Sequence, residues 1–259
     1  MNLSLIFNFT RQDLIDRHSA SVLGAAWTFI LPLVNILIFT LVFSNIMGMR
    51  LDALGMQQLG QYSYSIYLVT GVLAWNCFSS TLTRITQVFH EKAHLIGKVK
   101  ISLWSLPLYV LLSETILYAI SMAFFLAFLT IIGFHFPKTV LYWPVIFLCQ
   151  QILAYAAGLA FAVLSVFLRD IGQIVGVVMQ LWFWLTPIVY VLNILPERWH
   201  TLFAFNPFYH IVEAYRAVLI HGVSPNLQAL CVLFVIGFAL LAFSIFVGRK
   251  LERDIRDFL

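Results

Sequence analysis

Charge is scarce in this sequence. Only 10% of its 259 residues are Asp, Glu, Lys or Arg, against 62% hydrophobic. A soluble domain carries roughly 25% charged residues because its surface faces water, so an ordinary water-soluble globule is excluded. Lipid must be part of the solvent. Cysteine is also scarce: Cys77, Cys149 and Cys231 lie singly inside apolar stretches, which argues against a disulfide framework and for small buried hydrophobes. A phosphate-cradling G-x-x-x-x-G-K-[ST] loop is missing, since the only Gly-Lys pair, Gly97-Lys98, is followed by Val99 and has no glycine upstream at that spacing. Any ATP is therefore expected on another subunit. No secretory signal peptide is expected, because Arg11, Asp13, Asp16 and Arg17 stand where a cleavage site should be. Internal repeats and low-complexity segments are lacking. The pI of about 9.0 and net charge of +4 could suggest a nucleic-acid partner. In a membrane protein such an excess belongs to cytoplasmic loops, and no nucleic acid is expected.

What is present is a series of long uncharged intervals. Five of them, 26–32 residues each, lie between successive charges at Arg17–Arg50, Asp52–Arg84, Lys138–Arg169, Asp170–Glu197 and Arg216–Arg249. A sixth, Lys100–Lys138, is interrupted only by Glu114. About 20 apolar residues cross the hydrocarbon core, so the chain reads as an all-α integral membrane protein with six transmembrane helices. They are placed near 22–48, 63–84, 104–132, 139–168, 173–194 and 227–248. With both termini in the cytoplasm, eleven Lys and Arg fall inside and four outside, as the positive-inside rule requires. The whole chain, 1–259, is expected to form a single transmembrane domain. An interfacial elbow helix occupies 1–20, spans one to five lie within 22–194, and a segment at 195–226 precedes span six at 227–248. A cytoplasmic tail follows at 249–259.

The segment "FNPFYHIVEAYRAVLIHG" (205–222) is too polar and short to span. A seventh crossing there would also place the basic Arg249–Arg253 cluster outside and undo the charge bias. It is expected to dip into the membrane and return as a re-entrant helical hairpin. Such backbone is tolerated only against protein or a water-filled cavity. Its His210, Glu213 and Arg216 are three residues apart, so they share a helix face and can pair.

Three further features carry possible chemistry. "HEKAH" (90–94) matches H-E-x-x-H, in which His90 and His94 would bind zinc with Glu91 as general base. A catalytic zinc needs a third protein ligand, and the nearest downstream acid, Glu114, lies in the membrane; Lys92, Lys98 and Lys100 also oppose a dication. A cytoplasmic helix docking on a partner is the alternative, and no metal site and no catalytic residue are expected. Glu114 costs roughly 2.5–3.5 kcal/mol within a span, so it should face a pathway or a polar helix contact. Trp27, Trp75, Trp182 and Trp184 either belong to an interfacial belt or line a wet channel, where flat rings offer sugar faces a stacking surface.

Four stretches together resemble the membrane-spanning permease subunit of ABC-type polysaccharide exporters, which move O-antigen, capsular or teichoic acid chains. They are "RQDLIDRHSASVLGAAWTFILPL" (11–33), "HLIGKVKISLWSLPL" (94–108), "LRDIGQIVGVVMQLWFWLTPIVY" (168–190) and the 205–222 segment with Asn206, Pro207, Glu213, Arg216 and Gly222. His18 stands where the family commonly shows Tyr, and Ile101-Ser102 where Phe-Pro is frequent. The resemblance implies a homodimer in the bacterial inner membrane, two cytoplasmic ATP-binding subunits that hold ATP and Mg, and a lipid-linked polysaccharide as substrate. It implies ATPase coupling through Asp13, Arg17, His90, Glu91, His94, Lys98, Lys100, Arg169 and Asp170. It implies an extracytoplasmic gate at Asn206, Pro207, His210, Glu213 and Arg216. Trp27, Trp75, Glu114, Trp182 and Trp184 are the candidate channel-lining residues. Rival expectations are an ABC permease for drug or lipid efflux and an intramembrane zinc protease.

Overall fold

The computed structural model describes residues 3–17, 21–42, 62–96, 102–192 and 196–258. Lys98, Lys100, residues 43–48 of the first expected span and residues 193–194 of the fifth lie outside them. Among the described residues every regular element is helical. Within those residues four helices are long and apolar enough to cross a membrane, namely α3 (Ser63–Glu91), α5 (Leu108–Ile131), α6 (Trp143–Phe167, extended backwards by a 3-10 turn from Lys138) and α10 (Leu227–Lys250). Two more, α2 (Trp27–Thr40) and α7 (Ile171–Trp184), are apolar but shorter. At 1.5 Å per residue each covers roughly 21 Å, short of the hydrocarbon thickness. The remaining helices are α1 (Leu3–Asp16), α4 (Ala93–Ile96), α8 (Glu197–Ala204), α9 (Pro207–Arg216) and α11 (Glu252–Phe258).

Helix α3 is the central post. From Ser63 to Trp75 every residue is buried, which an amphipathic surface helix never achieves and a helix ringed by others does. It packs on α6 where a side chain on Gly158 would come within 2.8 Å of Ile85 Cβ. Small residues at such crossings let helix backbones approach in lipid, where no hydrophobic drive separates helix from solvent. Gln150 Nε2 donates to Ala74 O at 3.2 Å and Ser165 Oγ to Thr86 O at 2.9 Å, fastening the same pair by polar contacts. Exposed apolar side chains crowd α2, α7 and α10, among them Leu37, Val177, Leu181, Val235 and Phe246. These faces suit lipid or a second subunit.

Helix α7 stops at Trp184, ten residues before the span boundary expected at 194. Pro187 has no N–H to continue the ladder, and its ring disfavours helical geometry at Thr186. The chain then runs irregularly through 185–192. After α9 a five-residue π turn, Ala217–His221, ends at Gly222 with φ of 64°, a left-handed position that glycine takes without a Cβ clash. Two short helices, α8 and α9, thus stand between α7 and α10 where a hairpin was expected.

Candidate functional site

Two polar centres and two cavities stand out among the described residues. The first centre lies where α1 meets α3 and α5. Arg84 Nη1 donates to Glu114 Oε1 at 2.8 Å, and Arg84 Nη2 pairs with Asp13 Oδ1. Arg17 Nη2 pairs with Glu114, and Arg17 Nε approaches Asp13 Oδ2 at 3.4 Å. Two carboxylates and two guanidiniums therefore cancel within one cluster, which is how a chain carries Glu114, its side chain 5% exposed, at membrane depth. Burial pushes the Asp13 carboxyl up, but hydrogen bonding and charge from Arg84, with help from Ser113 and Arg17, outweigh it and hold the group below the ordinary value of 3.8.

Asp13 and Arg17, expected to couple to the ATPase, and Glu114, expected to face a pathway or a polar helix contact, have their charged groups on one another and on Arg84. Glu114 does also border a small cavity of ≈ 140 Å³ between α2, α3 and α5. Arg84 entered the sequence reading only as the end of span two. The signal that would have found it is the lone acid itself: a buried carboxylate needs a cation at matching depth, and Arg84 ends the neighbouring span.

The second centre closes the break after α7. Arg216 is fully buried, and its guanidinium donates from Nη1 to Pro187 O at 2.8 Å and from Nη2 to Ile188 O at 2.9 Å. Nη1 also reaches Glu213 Oε1 at 3.1 Å, the i,i+3 pair anticipated from spacing. The Arg216 carbon lies 3.4 Å from the centroid of the Tyr67 ring, a cation–π contact out of water. Tyr64 OH donates to Val189 O and Tyr67 OH to Tyr190 O, so the irregular carbonyls find partners in α3. Asn206 joins the two motif regions: its Oδ1 accepts from Trp182 Nε1 at 2.9 Å and caps α9 through Phe208 N, while Nδ2 donates to Thr186 Oγ1 at 2.9 Å. Pro207 occupies the first turn of α9, where a missing N–H is harmless. His210 Nε2 donates to Ala204 O at 2.8 Å and so spans the α8–α9 corner.

Phe208 inserts between α3 and α7, its ring centroid 5.0 Å from that of Trp75 and 4.7 Å from that of Phe78, and Trp182 lies 5.6 Å from Phe78. Of the candidate channel-lining residues, Trp75 packs on Phe208 of α9, and Trp182 packs on Trp75 and Phe78. Beside this cluster opens a cavity of ≈ 520 Å³ lined by Asn35, Trp75, Asn76, Gln180, Phe183 and Trp184 among others. Trp75 forms one of its walls at 5% exposure, and Trp184 is 60% exposed. Trp27 is half-buried at the start of α2 and donates to Ser21 Oγ at 2.9 Å, away from the cavity. The carboxamides of Asn35, Asn76 and Gln180 are exposed and bond to no described residue. None was singled out in the sequence, because a single Asn or Gln leaves no trace in charge or hydropathy patterning.

The remaining expected residues scatter over the charged end. His90 Nε2 donates to Ser165 O at 2.9 Å. Glu91 ends α3, the helix breaks at Lys92, and His94 belongs to α4. His90 and His94 therefore do not share one continuous helix face, and among the described residues no three His, Cys, Asp or Glu converge as a metal site. Arg169 and Asp170 are exposed at the α6–α7 turn.

Comparison with known proteins adds the following. The family described as ABC-2 type transporter matches residues 4–220. The O-antigen export system permease protein RfbA of Klebsiella pneumoniae is 26% identical over 264 residues, covering 100% of this chain and 97% of that protein. A protein of the same name from Myxococcus xanthus is 25% identical, with 96% and 93% covered. The polysialic acid transport protein KpsM of Escherichia coli is 23% identical, with 93% and 90% covered.

Proposed function

Because the chain belongs to the ABC-2 type transporter family, we propose that it is the permease subunit of an ATP-driven exporter that carries a polysaccharide, lipid-linked as O-antigen is, across a bacterial inner membrane. The observation that carries this reading is the similarity along the full chain to O-antigen and polysialic acid export proteins. The cavity beside α3 supports it chemically. Carboxamides that are free to exchange hydrogen bonds, set among flat aromatic rings, suit hydroxyl-rich sugars that must bind weakly and move on.

In this reading six apolar helices cross the membrane and both termini are cytoplasmic. The charge bias favours this arrangement, and α2 and α7 cross with help from their flanking turns. Two copies enclose a channel, with exposed apolar faces such as those of α2 and α7 at the contact. Two ATP-binding subunits sit beneath, and they bind ATP with Mg and hydrolyse it. Their closure pushes on α4 and on the exposed Arg169-Asp170 turn. The charge cluster passes that push from α1 to α3 and α5. Helices α8 and α9 form the re-entrant piece at the outer mouth, held by Arg216 and Asn206. The work is a population shift driven by differential binding, with no covalent step in this chain.

Deleting the chain from the cell that makes it tests the reading. Surface polysaccharide is expected to disappear while lipid-linked glycan accumulates on the cytoplasmic face, and the intact chain restores export. Unchanged surface glycan together with altered efflux of a small amphiphile would overturn it.

A further inference from the structure

The tail after α10 lies beyond both the matched family region, which ends at residue 220, and the motifs of the sequence. It does not run off into solvent. Helix α10 closes at Leu251, and α11 begins at once, with Ile255 N bonded to Leu251 O at 2.8 Å. Ile255 is fully buried in a cluster with Ile6 of α1, Val88 and Phe89 at the end of α3, Ile96 of α4 and Val166 of α6. The Phe258 ring lies 5.4 Å from that of Phe167. Arg256 Nη1 donates to Ile96 O at 3.2 Å, while its Nη2 reaches Glu252 at 3.1 Å. Ile96 is the last residue of α4, and terminal helix carbonyls have no partner within their own helix.

Helix α4 has four residues. That is too few to sustain itself, since one turn fixes several dihedrals for a single hydrogen bond. Its position must come from outside, and two of its holds are the burial of Ile96 and the Arg256 bond. We propose that α11 positions α4, on which the ATP-binding subunit docks, with Arg256 and Ile255 as its positioning residues. The tail is then part of the coupling apparatus, acting through α4 and leaving its outward charges, Arg253, Asp254 and Asp257, to solvent or the partner. This rests on the permease reading above.

The test uses the full chain co-expressed with its ATP-binding subunit and compares Arg256→Ala, Arg256→Lys and Ile255→Ala. Three quantities are read: melting temperature, affinity between the subunits, and ATP hydrolysed per glycan exported. Loss of one hydrogen bond from a charged group predicts roughly tenfold weaker association for Arg256→Ala and more ATP consumed per glycan, with Arg256→Lys restoring most of both. Ile255→Ala is expected to act in the same direction. Unchanged affinity and coupling in both alanine variants would overturn the proposal. So would a loss that merely tracks melting temperature and is not rescued by lysine. If the unaltered chain binds no ATP-binding subunit at all, the permease reading fails before any variant is compared.

Discussion

The two polar centres solve the same problem in different ways. Around α1, α3 and α5, charged side chains satisfy one another: each carboxylate meets both guanidiniums. At the end of α7 a single guanidinium is satisfied mainly by backbone carbonyls and a ring. A set of four mutually pairing charges has alternative pairings, so its helices can shift and stay neutralised. A guanidinium locked to Pro187 and Ile188 has one good arrangement. The difference suggests a movable joint at the charged end and a fixed rivet at the other.

Substitution of Arg216 should therefore have the largest effect. Arg216→Ala leaves two irregular carbonyls without their donor, and each buried acceptor left unsatisfied costs about 1–3 kcal/mol. The protein is expected to fail to accumulate in membranes, and Arg216→Lys to recover little, because an ammonium cannot make the same fork. At the joint the expected effect is smaller and reversible. Glu114→Arg or Arg84→Glu alone should abolish export, and the two combined should restore a measurable fraction of it with normal protein levels. If Arg216→Lys proves as mild as the combined swap, the contrast between rivet and joint is wrong.

Loss of the Asn206 cap comes next. Asn206→Ala should lower stability by about 0.5–2 kcal/mol, the range for an N-cap, read as a fall in melting temperature in detergent. The smallest effect concerns pH. The Asp13 carboxyl is held below 3.8 in the folded chain, so its contribution is fully present above that value and is lost as pH falls through the lower, folded one. Melting curves should show this Asp13 share constant from neutral pH to about 4 and falling below it. Asp13→Asn should remove that acid-dependent component and leave the neutral plateau slightly lower.

Much of the fold was legible because lipid imposes a simple rule. The expected intervals 63–84, 104–132, 139–168 and 227–248 each contain one long helix, with ends displaced by only a few residues except at α3, which runs on to Glu91. The break after α7 was not legible as a boundary, although its cause, Pro187, stands in a motif that had been singled out. A proline says where a helix stops only if the helix direction past it is known. In α9, the pairing of Glu213 with Arg216 could be read from their spacing, but the carbonyls that hold Arg216 come from residues nearly thirty positions earlier. The same limit explains Arg84 and Glu114, and Arg256 and Ile96. Each lies on a separate helix, and periodicity within one helix says nothing of which neighbour it meets. The aromatic residues were ambiguous for a related reason, since a tryptophan suits a buried anchor and a channel wall equally well until its neighbours are known.

The account stands on this chain being a conduit powered by another subunit, and reconstitution tests that most directly. Vesicles holding the chain and its ATP-binding partner, loaded on the outer face with lipid-linked polysaccharide, should move glycan inward only when ATP and Mg are supplied outside. Vesicles holding the chain alone should move none and hydrolyse nothing. ATP-driven movement by the chain alone, or none by the complete complex with a matched glycan, would contradict it.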